Sequence, residues 1–314
     1  MSINVFIAGH NGMVGSAVHK KLLEKDNYRV ITANRRELDL TNQACVDNFL
    51  SINNIDQIYI AAAKVGGIYA NNNYPANFIY ENIMIQSNII NAAHENNINK
   101  ILFLGSSCIY PKFAEQPIKE ESILSGSLEE TNEPYAIAKI AGIKMCESFN
   151  RQFNRDYRSV MPTNLYGEND NFDSKNSHVI PGLIKRFHEA KKENKEYVEV
   201  WGTGNAQREF LYSEDAAEAF FLVMNCKKDL YKKMTSDMVS QINIGSGKDI
   251  SIKDLAFLLK KIINFRGEII FNESYPDGTP RKLLDISKIN SLGWVPQYTL
   301  EEGLLKTYEW YLQN

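Results

Sequence analysis

Tyr135 and Lys139 stand four residues apart in NEPYAIAK, a spacing that puts both on one face of a helix beginning near Pro134. A free phenol has a pKa of about 10, so proton exchange near neutrality needs a shift of about three units, roughly 4 kcal/mol. An adjacent ammonium shifts it in that direction. Lys139 is therefore the expected tuner and Tyr135 the expected acid. Upstream, KILFLGSSCIYP sets two hydroxyls, Ser106 and Ser107, and the thiol of Cys108 after an apolar run, at the kind of strand end where open α/β sheets bind ligands. Either hydroxyl could serve hydride chemistry at a carbonyl. A thiol has no part in that chemistry, so Cys108 raises a separate question.

The N-terminal GHNGMVG places Gly9, Gly12 and Gly15 between an apolar run and a helix-like stretch. Glycines allow a tight turn and close approach of backbone to a pyrophosphate, and the helix N-terminus adds free N–H groups and partial positive charge. The next apolar run, RVITAN, ends at Asn34 and is followed by Arg35 and Arg36. An acidic residue there would hold the ribose 2′-OH of NAD, whereas a guanidinium pairs with a 2′-phosphate. The reading is NADP(H), with Asp39 nearer the adenine edge.

Short apolar runs alternate with helix-like stretches from the start: NVFIAG, a helix to Asp26, RVITAN, a helix after Thr41, QIYIAA, a long helix after Pro75, KILFLG, a helix over about Pro134 to Phe153, and a strand RSVMPTNLYG. Runs without polar alternation, separated by helices, indicate a parallel sheet covered on both faces. The expected fold is a doubly wound α/β (Rossmann) sheet with a smaller α/β C-terminal substrate lobe. Residues 1–166 form the NADP-binding domain, with returning segments about 209–226 and 239–247, and 167–314 form mainly the substrate lobe. Helices are expected near Val179 to Lys192 and Ile252 to Ile263, after a loop DNFDSKNSH.

The 314 residues, 44% hydrophobic and 23% charged with a net charge of -3, describe a globular chain without the basic excess that nucleic-acid binding favours. No window offers the roughly 18 apolar residues of a membrane span. The four cysteines, Cys45, Cys108, Cys146 and Cys226, form no C-x-x-C pair, which suggests neither a metal site nor a disulfide framework and points to the cytoplasm. The tract NNN at Asn71 to Asn73 is expected in a loop.

Glycine turn, strand-end serine and YxxxK, in this order, resemble the extended short-chain dehydrogenase/reductase superfamily. Within it, GHNGMVGSA, AAAKVGGIYANN, GSSCIYP, NEPYAIAKIAG, MPTNLYG, NSHVIP, REFLY and PDGTPRKLLD resemble the GDP-4-keto-6-deoxy-D-mannose epimerase-reductases across essentially the whole chain. The resemblance implies Tyr135 as proton donor to a C4 oxygen, Lys139 on the nicotinamide ribose, and Ser106 bonding the same oxygen. It implies a cofactor surface of Gly9, His10, Asn11, Gly12, Met13, Val14 and Gly15, then Arg35, Arg36, Glu37, Leu38, Asp39 and Leu40. Leu104, Gly105, Ser106 and Ser107, with Pro162, Thr163, Asn164, Leu165 and His178, would line the nicotinamide half. Arg186, Trp201, Arg208 and Asp277 would grip a GDP-sugar, two guanidiniums suiting a diphosphate and the carboxylate accepting from hydroxyls. A homodimer through helices near Phe78 to Glu95 and Pro134 to Phe153 is implied as well. Many relatives carry a basic residue at the position of Asn11, so the preference for NADPH over NADH rests on Arg35 and Arg36.

In that family's substrate a C4 ketone acidifies the protons on C3 and C5, and inverting both carbons needs a base on one face and an acid on the other. A thiol with pKa near 8.5 is about 3% thiolate at pH 7, and a nearby cation would raise that fraction. A histidine near 6.5 is a natural acid. Cys108 and His178 are the expected pair, with reduction of C4 by NADPH to follow. Two other readings stand beside this one. A nucleotide-sugar 4,6-dehydratase or 4-epimerase would retain its NAD, and dehydratases resembling this fold typically carry an acidic pair after the strand-end hydroxyl, where this chain has SSCIYP. A cofactor sensor without chemistry would have no use for Tyr135 and Lys139.

Overall fold

The structure, a computed structural model, describes residues 2–173, 177–275 and 277–314. Residues 174–176, in the loop DNFDSKNSH and reaching into NSHVIP, and Pro276 at the head of PDGTPRKLLD lie outside the described residues, as does Met1. Along the chain run β1 (Ile3–Ala8), α1 (Met13–Leu23), β2 (Tyr28–Ile31), α2 (Gln43–Ile52), β3 (Gln57–Ile60), α3 (Ile68–Asn73), α4 (Pro75–Glu95), β4 (Lys100–Leu104), α5 (Glu133–Phe153), β5 (Asp156–Pro162) and β6 (Asn164–Tyr166). The second half adds α6 (Val179–Lys192), β7 (Tyr197–Trp201), β8 (Gln207–Tyr212), α7 (Ser213–Asn225), α8 (Lys228–Met234), β9 (Gln241–Ile244), β10 (Asp249–Ser251), α9 (Ile252–Ile263), β11 (Glu268–Asn272), β12 (Arg281–Lys282), α10 (Ser287–Ser291) and α11 (Leu300–Gln313).

The apolar runs are strands buried on both sides. In β1, Phe6 and Ala8 join one core while Val5 and Ile7 join the other, and β4 divides in the same way. Alternate side chains leave opposite faces of a strand, so a sheet covered twice demands apolar residues at every position. Six parallel strands result, in the order β2-β1-β3-β4-β5-β9. Helices α2, α4 and α5 cover one face and α1 and α7 the other. The strand order reverses between β1 and β3, which opens a crevice beyond the carboxyl ends of these strands. The doubly wound fold read from the sequence is the one observed.

A third core packs α6, α9 and α11 on β7 and β8. There β8 lies between β10 and β12 and also pairs with β6, while β7 and β11 form a parallel pair. RSVMPTNLYG is thus two strands rather than one: β5 belongs to the large sheet and β6 to the small one. The break is at Thr163, whose N–H donates to Ile244 O at 2.9 Å and whose hydroxyl donates to Glu209 O at 3.2 Å. Helix α1 stops at Leu23, short of Asp26, because Lys25 N–H turns back to Leu22 O and Tyr28 N–H to Lys25 O to enter β2. Asn71 to Asn73 lie in α3 rather than in a loop. The buried Asn71 amide donates to Gly66 O and Gly67 O and holds the chain entering that helix. Among the described residues no helix is long and apolar enough to cross a membrane, and no cluster of His, Cys, Asp or Glu could hold a metal ion.

The fully buried Glu209 of β8 ties the two lobes together. One carboxylate oxygen accepts from Gly247 N at 2.7 Å and the other from Leu284 N at 3.0 Å, yet burial pushes its pKa up to about 6 from 4.5. A carboxylic acid with a raised folded-state pKa stabilises the fold most below its unfolded value, and that contribution is lost as pH rises through the folded value. Relative to Glu209→Ala, the wild-type chain should therefore lose roughly 2 kcal/mol of its advantage between about pH 4.5 and 7.5. Denaturant unfolding of both proteins across that range measures it, and a constant gap would show that Glu209 keeps an ordinary pKa.

Candidate active site

Gly9 ends β1 with φ of 91°, a conformation that favours glycine. A Cβ there would stand 2.7 Å from Ala62 N, in the segment that follows β3. At Gly15 a Cβ would strike Gly9 O, so the turn closes only with glycine at both places. Gly12 caps α1 without a side-chain hydrogen bond to its first turn, which leaves the N–H groups of that turn facing the crevice with Met13 and Val14 beside them. The Nδ1 of His10 is buried without a partner, and Asn11 is exposed. A cradle that excludes side chains, over open N–H donors, fits the pyrophosphate of a dinucleotide.

After β2, Asn34 Oδ1 accepts from Arg36 N and Glu37 N, and Glu37 returns a carboxylate oxygen to Asn34 N at 2.8 Å. This reciprocal turn holds Arg35 and Arg36 exposed at the edge of the crevice, while Leu38 is buried in the core. Asp39 accepts from the Thr41 N–H and hydroxyl and is occupied with that turn. Leu40 O accepts from the Asn88 amide. One group that sequence reasoning missed stands close by. Glu81 of α4 pairs with Lys64 at 2.5 Å and lies 3.9 Å from Arg35. Lys64 sits in AAAKVGG, and nothing in that motif shows its partner on α4.

At the end of β4 the chain turns immediately. Ser107–Ile109 is a short 3-10 turn whose N-cap, Ser106, accepts from Cys108 N at 3.4 Å. Gly105 N–H donates to Val160 O, and its Cβ position is filled by Met161, so the turn presses against β5. Lys139 reaches from α5 to donate to Leu104 O at 2.9 Å, and its Nζ lies 5.7 Å from the Tyr135 ring centroid. Ser106, Cys108, Tyr135 and Lys139 are thus brought together, with Tyr135 edge-on to Phe78.

The electrostatics differ from the sequence-based expectation. Burial pushes the Tyr135 phenol well above its ordinary value, the Cys108 charge adds to this, and the Ser106 hydroxyl opposes it. Lys139 is not its tuner in this state. Lys139 is itself pushed down to about 8 by burial, and at pH 7 about ten of its ammoniums survive for each neutral amine. A phenol raised in this way is protonated, which is the state a proton donor needs. Cys108 is likewise raised by burial, against the opposing charge of Lys282 and the Ser106 hydrogen bond, so its thiolate fraction is smaller than that of a free thiol. His178 is the N-cap of α6, with an exposed side chain. The surrounding protein nevertheless lowers its pKa, and its resting state at neutral pH is a neutral imidazole. Among the described residues no hydrogen bond joins its ring to Ser106, Cys108 or Tyr135.

In the smaller lobe, Arg186 is half-buried, donates to Gly182 O and Glu199 O, and lies 5.0 Å from the Trp201 ring. Trp201 in turn stacks on Tyr275 at 4.6 Å. Arg208 Nη2 donates to Asp277 O at 3.2 Å. The carboxylate of Asp277 is engaged at both oxygens by the Thr203 N–H and hydroxyl, so it shapes a turn. Pro162 and Thr163 are buried, Asn164 donates to Glu209 O at 2.8 Å, and Leu165 packs against the α1–α7 side of the core. Asn132, which the sequence reading also passed over, buries an unpartnered Oδ1 and shares a cavity with Cys108.

The model of the NAD dependent epimerase/dehydratase family matches residues 5–245. GDP-L-fucose synthase of Escherichia coli (strain K12) is 56% identical over 310 residues, which span 99% of this chain and 97% of the relative. Among solved structures, a GDP-6-OMe-4-keto-L-xylo-heptose reductase from C. jejuni has a TM-score of 0.93 at 39% identity, covering 100% of this chain and 99% of the other. A GDP-L-fucose synthetase from Naegleria fowleri bound to NADP has a TM-score of 0.88 at 25% identity, over 99% of this chain and 94% of the other.

The exposed guanidiniums at the crevice edge give a direct test of cofactor choice. Replacing Arg35 and Arg36 together by Ala should weaken NADPH binding by about 10- to 100-fold, the worth of one or two charge-assisted bonds, and leave NADH binding within about twofold. Fluorescence titration with both nucleotides separates the outcomes. Equal loss for the two would place the 2′-phosphate elsewhere.

Proposed function

The chain belongs to the NAD dependent epimerase/dehydratase family, and we propose that it epimerises GDP-4-keto-6-deoxy-D-mannose at C3 and C5 and reduces C4 with NADPH to give GDP-L-fucose. The observation that carries this reading is the placement of Cys108 in the same turn as Ser106, beside Tyr135 and Lys139. A reductase alone needs a proton donor and its orienting hydroxyl. A buried thiol two residues from that hydroxyl, close to two lysines, suits proton abstraction beside a ketone. The full-length similarity to the Escherichia coli GDP-L-fucose synthase supports the same assignment.

In this reading the C4 ketone acidifies C3 and C5, Cys108 takes a proton from one face, and His178 returns one to the other. A lowered pKa makes the His178 imidazolium, once formed, a stronger acid. The Tyr135 phenol then protonates the C4 oxygen, with Ser106 orienting that oxygen and Lys139 holding the nicotinamide ribose. NADPH, when bound, supplies the hydride to C4. The turn Gly9 to Gly15 and Arg35 to Leu40 hold the dinucleotide, and Leu104 to Ser107 and Pro162 to Leu165 line its reactive end. Arg186, Trp201, Arg208 and Asp277 hold the GDP moiety. Tyr80, Ile137 and Phe153 are exposed on α4 and α5, which supports a homodimer paired through these helices. Four free cysteines support a reducing, cytoplasmic setting.

Incubation with GDP-4-keto-6-deoxy-D-mannose should consume NADPH and yield GDP-L-fucose, and no consumption above a blank would sink the assignment. Tyr135→Phe should lower the reduction rate by about 10²- to 10⁴-fold with little change in NADPH binding. The epimerase half has its own pH signature. Thiol with imidazole and thiolate with imidazolium hold the same number of protons, so pH does not alter their ratio between the two pKa values. Incorporation of solvent deuterium at C3 and C5, without NADPH, should be flat between a lower limb below 6.5 and an upper limb above 9, the ordinary values from which His178 falls and Cys108 rises. Cys108→Ser should lose the upper limb with the exchange. An unchanged exchange rate would remove Cys108 from the base role.

A further inference from the structure

Cys108 needs to become a thiolate in a place where burial works against it, and the structure puts the cation of Lys282 beside it. Lys282 ends β12, a two-residue strand paired in parallel with β8 so that Lys282 stands opposite Arg208. The segment is fastened on both sides. Leu283 N–H donates to Gln116 Oε1 at 2.8 Å and Leu284 N–H to Glu209 Oε2 at 3.0 Å, and Ile118 forms a parallel bridge with Leu284. Lys282 is therefore held at the junction of the lobes by bonds to both of them. Its side chain and Cys108 line one small cavity of about 10 Å³, room for no more than about one water. Among the described residues its ammonium has no hydrogen-bond or ion-pair partner.

We propose that Lys282 is the positioning residue for the Cys108 base, its ammonium facing the thiol across this cavity and holding the thiolate in place for proton abstraction. Two cations opposed on neighbouring strands repel each other, so each needs an anion. Arg208 donates to the Asp277 backbone carbonyl and is favoured by the charge of its carboxylate, and Cys108 is the group whose charge acts most strongly in favour of the Lys282 ammonium. Lys139 acts on Cys108 in the same direction but more weakly, and the Tyr135 phenol faces the thiol from α5. Lys112, Glu129 and Arg281 complete the charged lining of the cavity. When the thiolate removes a C–H proton it becomes a thiol, the electron pair passes to the C4 oxygen as an enolate, and the carbon regains a proton from the opposite face. Lys282 itself exchanges no proton. The epimerase reading gives the thiolate its purpose, but the pairing is testable without any sugar.

Ultraviolet titration of the thiolate, with Cys108→Ser subtracted in each background, reads Cys108 directly. Lys282→Met should move its midpoint up by one unit or more, about a tenfold smaller thiolate fraction at a given pH, and Lys282→Arg should restore most of the shift. Because the interaction is reciprocal, a second measurement guards against a variant that fails to fold: the NMR titration of Lys282 should move to lower pH in Cys108→Ser. Deuterium incorporation at C3 and C5 should fall about tenfold in Lys282→Met and follow the displaced profile. An unmoved Cys108 midpoint, or an unmoved Lys282 titration in Cys108→Ser, overturns the pairing. A Lys282 that only bound the diphosphate would raise KM and leave both titrations in place, which overturns it equally. Shifted titrations in a protein that ignores GDP-4-keto-6-deoxy-D-mannose would uphold the pairing and refute the substrate.

Discussion

A single buried carboxylate holds the site in register. Glu209 of β8 takes the N–H of Gly247, which follows the last strand of the large sheet, and that of Leu284, two residues beyond Lys282. Its own carbonyl takes Thr163 and Asn164, the residues that divide β5 from β6. Burying an ionisable group is costly unless its lone pairs are filled, and they are filled only when the segments from both lobes arrive together. At Gly245 there is no room for a Cβ beside the carboxylate, so the small residues of IGSG belong to the same arrangement. The wall expected to line the reactive end of the dinucleotide and the strand bearing Lys282 are thus fixed to each other through one side chain.

Burial sets the resting protonation of the site in the uncharged direction throughout. Tyr135 and Cys108 are raised, and Lys139, Lys282 and His178 are lowered. Desolvation acts against every charge alike, and only specific partners restore one. Leu104 O does so for Lys139 through a direct hydrogen bond, and the opposed thiol and ammonium of Cys108 and Lys282 do so for each other. At neutral pH the phenol, the thiol and the imidazole rest uncharged, while Lys139, at about 8, is still mostly ammonium. Neighbours, and whatever fills the cleft, then set the pH at which each group changes its charge.

The large sheet could be read from sequence because its cause is local. Each strand must be apolar at every position to serve two faces, and each helix begins or ends on short-range signals such as Pro75 and the Ser251 cap of α9. The glycine turn was legible for the same reason, since Gly9 and Gly15 meet within one turn. The smaller lobe was harder. Its strands β6, β8, β10 and β12 are short, three of them of three residues or fewer, and pair across long stretches of chain. Asn71 shows the limit of composition: three asparagines suggest a loop, but a buried amide bonded to two carbonyls makes a helix start. Glu209 lies in REFLY and Lys282 in PDGTPRKLLD, but neither stretch shows the contacts of these side chains, which arise only where distant segments meet.

The same distinction explains why the shared helix of Tyr135 and Lys139 was legible while the direction of the phenol's shift was not. A spacing of four fixes a shared helix face, and α5 delivers it. It does not fix where the ammonium points. The nearest strong acceptor is a carbonyl at the end of β4, and Lys139 takes it. That bond anchors the helix carrying the phenol to the strand carrying Ser106 and Cys108. Lys139 therefore acts first as a strut that sets the distance between proton donor and thiol. An ammonium committed to a carbonyl on one side has two further N–H donors, which the proposed hold on a ribose hydroxyl would use, so that one lysine would serve both the fold and the cofactor.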